Sequence, residues 1–158
     1  MKILFTFILL MCTVNTHYTH SRCRSPELSL RIERQAEWEL FIFALIEVES
    51  GGDSTCTGMA DDVGILQITP ICVREVNRIL GMQIYVLSDR YSVKKSLEMF
   101  NIIQHHKNPQ LDIHLAAKIW NPRAPESYYE KIERNLLQKQ LFYNNKDSDK
   151  YFTDQYPK

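Results

Sequence analysis

From Trp38 to Val48 the chain is apolar at almost every position, with Trp38, Leu40, Phe41, Ile42, Phe43, Leu45, Ile46 and Val48. On a helix of about 3.6 residues per turn these fall nearly all round, so the segment predicts a central helix buried on every side. It stops at Glu49-Ser50-Gly51-Gly52, where the glycines end it. A carboxylate set where an apolar helix ends is short of water, and that environment raises a carboxyl pKa into the range of a general acid working near neutral pH. Glu47 competes for the same role. Two residues amount to about 200° of rotation, so Glu47 and Glu49 point to nearly opposite sides and cannot share a cleft. Both sides carry apolar neighbours, so periodicity leaves the choice open.

The rest of the chain reads as helices with short connections. Ser25-Pro26 is a helix start, with Ser25 as cap. Thr69-Pro70 opens another helix, carrying Val73, Val76 and Leu80 and ended by Gly81. Ile84 to Leu87 is a short apolar run read as extended. Ser92 to His106 repeats helical spacing through Val93, Leu97, Phe100 and Ile103, and Asn108-Pro109 ends it. Asp112 caps a helix with Ile113, Ala116, Ala117 and Trp120, which Asn121-Pro122 breaks; Pro125 to Tyr143 is a last amphipathic helix. No repeat and no second domain is visible. The expected fold is a single, mainly α domain over residues 24–143, followed by a polar tail over 144–158.

The first residues read as an address. Lys2 precedes an apolar run from Ile3 to Met11, interrupted only by Thr6. That is far short of the roughly 20 residues of a spanning helix, so residues 1–16 read as a cleaved secretory signal, with Val14 and Thr16 as its small pair. Cys12 offers lipidation as an alternative, although Met11 is not the small residue expected before a lipidated cysteine. The chain is therefore expected to be exported to the periplasm or outside the cell, as a monomer that meets the membrane only through these residues. The 19 Lys and Arg balance the 19 Asp and Glu, so no basic field draws the protein to nucleic acid. Cys23, Cys56 and Cys72 would remain after cleavage. A Cys56–Cys72 bridge is conceivable, but a buried Cys72 on a helix and an incidental Cys56 is the simpler reading. His105, His106 and His114, like His17 and His20, lack acidic partners at ligand spacing, so no metal is expected.

Four segments carry a resemblance. They are Glu49-Ser50-Gly51, Gly64-Ile65-Leu66-Gln67-Ile68, Ala117-Lys118-Ile119-Trp120-Asn121 and Tyr128-Tyr129-Glu130-Lys131-Ile132. Together they resemble the soluble lytic transglycosylase family, lysozyme-like relatives of goose-type lysozyme, across roughly Trp38 to Ile132. The resemblance selects Glu49 over Glu47, because the family's catalytic glutamate directly precedes serine. It implies a lysozyme-like α+β fold with at most a small β element near the active-site loop. It also implies substrate contacts from Ser50, Gln67, Ile68, Trp120, Asn121 and Tyr128, the last beside the catalytic glutamate. Glycine at position 64 permits close approach of backbone and sugar, and the Gln67 amide can both donate and accept. Read alone, Ile65, Leu66 and Ile68 are core aliphatics, and one of Tyr128 and Tyr129 is a core aromatic. Two positions depart from the pattern: Trp120 stands where tyrosine is usual, and Arg123 replaces a glycine.

The activity so implied is cleavage of the β-1,4 link between N-acetylmuramic acid and N-acetylglucosamine in peptidoglycan strands, without a cofactor. Most glycosidases use two carboxylates. The family uses one, which protonates the glycosidic oxygen and then takes a proton from the sugar's 6-hydroxyl, closing a 1,6-anhydro ring. Asp53, Asp61 and Asp62 lie in a polar loop and read as solvated. The rival reading is a hydrolytic muramidase in which Asp61 or Asp62 positions water. A second rival, which Arg123 keeps open, is a non-catalytic glycan-binding protein of the same fold.

Overall fold

The structure, a computed structural model, describes residues 26–144. The signal segment, Cys12, Cys23, the Ser25 cap and the tail beyond Asn144 lie outside the described residues. The chain divides into two compact units, Met1–Glu33 and Arg34–Lys158. Of the first, the described part is Pro26–Glu33, the opening of helix α1. Everything below concerns the second.

Five α-helices carry the fold: α1 (Pro26–Glu49), α2 (Pro70–Leu80), α3 (Val93–Lys107), α4 (Ile113–Trp120) and α5 (Glu126–Asn144). Their boundaries have local causes. Thr69 Oγ1 accepts from Cys72 N at 3.2 Å, and Pro70 starts α2 with its φ already helical. Gly81, at φ 70°, closes α2 by donating back to Arg78 and Asn77. Ser92 caps α3 through Lys95 N, and Asp112 Oδ1 caps α4 by accepting from His114 N and Leu115 N at 2.9 and 3.0 Å. Helix α1 is one continuous helix from Pro26, longer than the apolar segment alone required, and α5 runs one residue past the expected end.

The core forms around α1. Trp38, Phe41, Leu45 and Ile46 of α1 are buried together with Val76 of α2, Phe100 and Met99 of α3, Ala116 of α4 and Ile132 of α5. Trp38 lies 5.4 Å from Phe41 and 5.9 Å from Phe100, and Phe100 meets Trp120 edge-on at 4.9 Å, centroid to centroid. This aromatic chain links α1, α3 and α4.

The connections between the helices carry little extended structure. Among the described residues there is no sheet. The loop after α1 contains only isolated antiparallel bridges, Thr57 with Val63 and Val63 with Ile68. Ile84–Leu87 is not a strand either. The buried Asn77 side chain takes up its backbone groups, accepting from Ile84 N and Tyr85 N at 3.0 and 2.9 Å and donating to Tyr85 O at 2.8 Å. With those groups spent, the chain turns into a 3-10 helix, Leu87–Tyr91. Cys56 and Cys72 are both free thiols, and Cys72 sits half-buried on α2.

Candidate active site

Glu49 is the last residue of α1, and its carboxyl opens onto a cavity of about 400 Å³. Burial pushes that carboxyl up to about 7 from 4.5; a hydrogen bond from Tyr128 opposes the rise and the negative charge of Asp62 adds to it. Glu47, half a turn away, is exposed. The two glutamates thus separate as rotation demands, and only Glu49 lines the cavity.

The C-terminal helices close in on this carboxyl. Tyr128, in the first turn of α5, donates its hydroxyl to Glu49 Oε1. Its phenol pKa is raised, by burial first and then by the Glu49 charge, so it remains a donor throughout the working range. Tyr129 packs edge-on against Tyr128 at 5.4 Å and donates to Asn121 O at 2.7 Å. Both tyrosines are partly buried against the core, but only Tyr128 touches the glutamate. Trp120 and Asn121, at the end of α4, line the cavity. Trp120 also ties α4 to the loop by donating to Leu66 O at 3.2 Å. Arg123 is exposed.

The loop between α1 and α2 forms the facing wall. Gln67 lines the cavity, with its Nε2 donating to Gly64 O at 2.9 Å and Cys56 O at 3.3 Å, so its amide holds the loop and leaves the carbonyl oxygen to accept. Gln67 itself sits at φ 47°. Ser50 is used internally, donating to Ile65 O at 2.9 Å and accepting from Gly52 N at 3.1 Å. Ile68 corrects the expectation for its side chain. It is fully buried in the core, and its N–H and carbonyl pair with Val63, so it backs the wall and does not face the cavity. Gly64 is needed for two reasons. It sits at φ 78°, and a Cβ there would meet Arg90 O at 2.1 Å.

The acidic residues of the loop have separate fates. Asp53 is exposed and accepts from the Thr55 backbone and hydroxyl. Asp61 is exposed, and its Oδ1 lies 3.4 Å from Arg90 Nη2. Asp62, contrary to the solvated reading, is half-buried and lines the cavity with Glu49; its Oδ1 accepts from Ala60 N at 2.8 Å.

Arg90 is the residue that sequence reasoning missed. Its side chain is buried and donates to Leu87 O at 2.9 Å, Asp61 O at 2.5 Å and Ile68 O at 3.2 Å. Its own carbonyl packs on Gly64 and accepts from Ser96 Oγ at 2.8 Å. One arginine therefore clamps both ends of the segment holding Asp62 and Gln67. The flanking Ser88-Asp89 and Tyr91 read as a polar turn, which gives no hint of a buried cation. Among the described residues, no three His, Cys, Asp or Glu side chains group as a metal site.

The Glu49 carboxyl, raised by burial to about 7, thus opens onto a cavity walled in part by the Gln67 amide and the Trp120 indole. The chain belongs to the transglycosylase SLT domain family, whose profile matches residues 30–145, and a lytic transglycosylase-family function on peptidoglycan follows. No curated protein and no solved structure matches the chain.

Proposed function

We propose that this protein is a peptidoglycan lytic transglycosylase that cuts the β-1,4 bond between N-acetylmuramic acid and N-acetylglucosamine, with Glu49 as the acid and then the base. The observation that carries this reading is the Glu49 carboxyl, raised to about 7 by burial at the cavity and held by Tyr128. At that value both protonation states are accessible near neutrality, as one group serving in both roles requires. Glu49 gives its proton to the glycosidic oxygen as the bond from the muramic C1 breaks. The muramic 6-hydroxyl then attacks C1, and its proton returns to Glu49. No water is consumed. The Tyr128 hydroxyl steadies the carboxylate between the two steps, and Gln67, Trp120 and Asn121 contact the sugars. Ser50 and Ile68 act through the loop that carries Gln67.

The second reading is hydrolysis, favoured by one observation: Asp62 shares the cavity with Glu49. Product analysis separates the two. Purified peptidoglycan digested with the protein should release muropeptides one water lighter than hydrolysis products, which borohydride does not reduce. Hydrated, reducible muropeptides as the main product would overturn the transglycosylase reading and assign Asp62 the water-positioning role. Absence of any cleavage by the folded protein would leave the glycan-binding alternative.

A further inference from the structure

Between the end of α2 and the start of α3 the chain turns apolar side chains to solvent. Met82, Ile84, Val86, Leu87, Tyr91 and Val93 are each between 41% and 59% exposed, all within residues 82–93. Single exposed aliphatics are ordinary, but a contiguous run of them marks a contact surface. The charge around the run is one-sided. From Val76 to Leu97 the only carboxylate is Asp89, and it is buried. Lys94 and Lys95, in the first turn of α3, stand exposed beside the run; Lys95 gives one hydrogen to Asp89 Oδ1 at 2.6 Å.

The backbone of the run is already satisfied from within. Asp89 Oδ2 accepts from Val86 N at 3.0 Å, and Arg90 Nε donates to Leu87 O at 2.9 Å. With the Asn77 bonds to Ile84 and Tyr85, three buried polar side chains are spent on the backbone of residues 84–87. A loop in water needs no such provision, because water satisfies its N–H and C=O groups. Nor does the run offer itself to a partner strand, since the groups a strand would pair with are taken. The provision suits a medium that supplies no hydrogen bonds, the apolar boundary of a bilayer. Tyrosine and lysine at the edge of the apolar run fit the same boundary, each with an apolar body and a polar tip.

The run also lies away from the chemistry. Ile71 and Glu75 of α2 line the cavity with Ile103 and Lys107 of α3, and Lys107 Nζ lies 3.4 Å from Glu75 Oε1. The two helices are therefore antiparallel, and the run sits where they join, about 15 Å of α3 away from Ile103. None of its six apolar residues lines the cavity.

We propose that residues 82–93 dock the protein on a membrane surface. The six apolar side chains enter the boundary between headgroups and acyl chains, while Lys94 and Lys95 meet the phosphates of anionic lipids. This contact is separate from the N-terminal residues, and it leaves the Glu49 cavity open to a glycan strand.

Cosedimentation of the full chain with vesicles tests this. One set of vesicles is phosphatidylcholine alone, and the other is an equal mixture of phosphatidylcholine and phosphatidylglycerol. The native chain should bind the mixed vesicles more tightly. Ile84→Asp with Val86→Asp should weaken that binding at least about tenfold, and the milder Ile84→Ser with Val86→Ser should weaken it less. Leu137→Asp with Leu141→Asp, at two positions 57% exposed on α5, should leave it unchanged. Lys94→Gln should cost about fivefold on the mixed vesicles and nothing on phosphatidylcholine. Every variant keeps residues 1–16, so differences between them report the substituted positions, and near-UV circular dichroism checks that each is folded. No vesicle binding by the native chain, or equal binding by the native chain and the folded Ile84/Val86 variants, would overturn the docking. Self-association of the native chain, abolished by the same substitutions and without vesicle binding, would overturn it too and make the run an interface between copies.

Discussion

Replacing Glu49 by glutamine tests the site without using activity. The substitution keeps shape and an acceptor for the Tyr128 hydroxyl but removes the titration. The carboxyl is raised from 4.5 to about 7 by burial, with the Tyr128 hydrogen bond opposing and Asp62 adding. The folded protein thus holds this proton more tightly than the unfolded chain does. The stability it contributes is complete below pH 4.5 and is lost as pH rises through about 7. A rise of about 2.5 pH units corresponds to about 3 kcal/mol, most of which falls between pH 5 and 8.5. Glutamine pays no such penalty. The stability of Glu49→Gln relative to the native protein should therefore climb by about 2 to 3 kcal/mol over that interval. Urea unfolding of both proteins at each pH reads this as a relative shift in midpoint of about 1–2 M. A difference that stays flat from pH 5 to 8.5 would refute a buried Glu49 and, with it, the reasoning that makes it an acid.

Peptidoglycan cleavage, as kcat/KM, should be steady below about pH 7 and fall about tenfold per pH unit above it, because Glu49 must carry a proton to begin; Glu47→Gln should keep this profile, and Glu49→Gln should lose activity by orders of magnitude. Tyr128→Phe removes a hydrogen bond that favours the Glu49 carboxylate, so turnover should drop and the alkaline limb should move to higher pH; an unmoved limb would make Tyr128 merely structural. Asp62→Asn removes a charge that raises the Glu49 pKa, so the limb should move to lower pH with anhydro products retained. Arg90→Lys should destabilise the fold by about 1–3 kcal/mol in urea and depress turnover more than it weakens substrate binding, because one ammonium cannot replace a fork that reaches three carbonyls.

The helices were legible because their ends are written in local chemistry. Thr69-Pro70, Ser92, Asp112 and Gly81 each cap or close a helix in the structure as their residue types suggest. The apolar run at Trp38–Val48 was legible as a core helix, although it is not buried on every side: Glu39 and Glu47, two turns apart on one face, are exposed. What could not be read was the path between helices. Ile84–Leu87 has the composition of a strand, but a strand needs a neighbour to pair with. The buried amide of Asn77, seven residues before Ile84, captured those backbone groups instead. Nothing near Asn77 on α2 marks it as more than one polar residue among several.

The candidate site divides in the same way. Glu49 has a local cause, an apolar helix that stops, but Glu47 shared it, and only the resemblance to a known family chose between them. Asp62 has none: whether a loop aspartate points to water or into a cavity depends on where the loop is held, and the grip comes from Arg90, twenty-eight positions later. A buried guanidinium that donates to carbonyls at both ends of the segment does what a sheet would do for it, satisfying backbone groups at residues 61 and 68 with no strand beside them. That also accounts for isolated bridges in place of a sheet, and for Gln67 in the left-handed region, where its side chain bonds Gly64 O and Cys56 O. The loop is assembled by side chains from elsewhere. Its composition therefore reads as polar and solvated, while its structure supplies a wall of the cavity and a second carboxylate that helps keep the first one protonated.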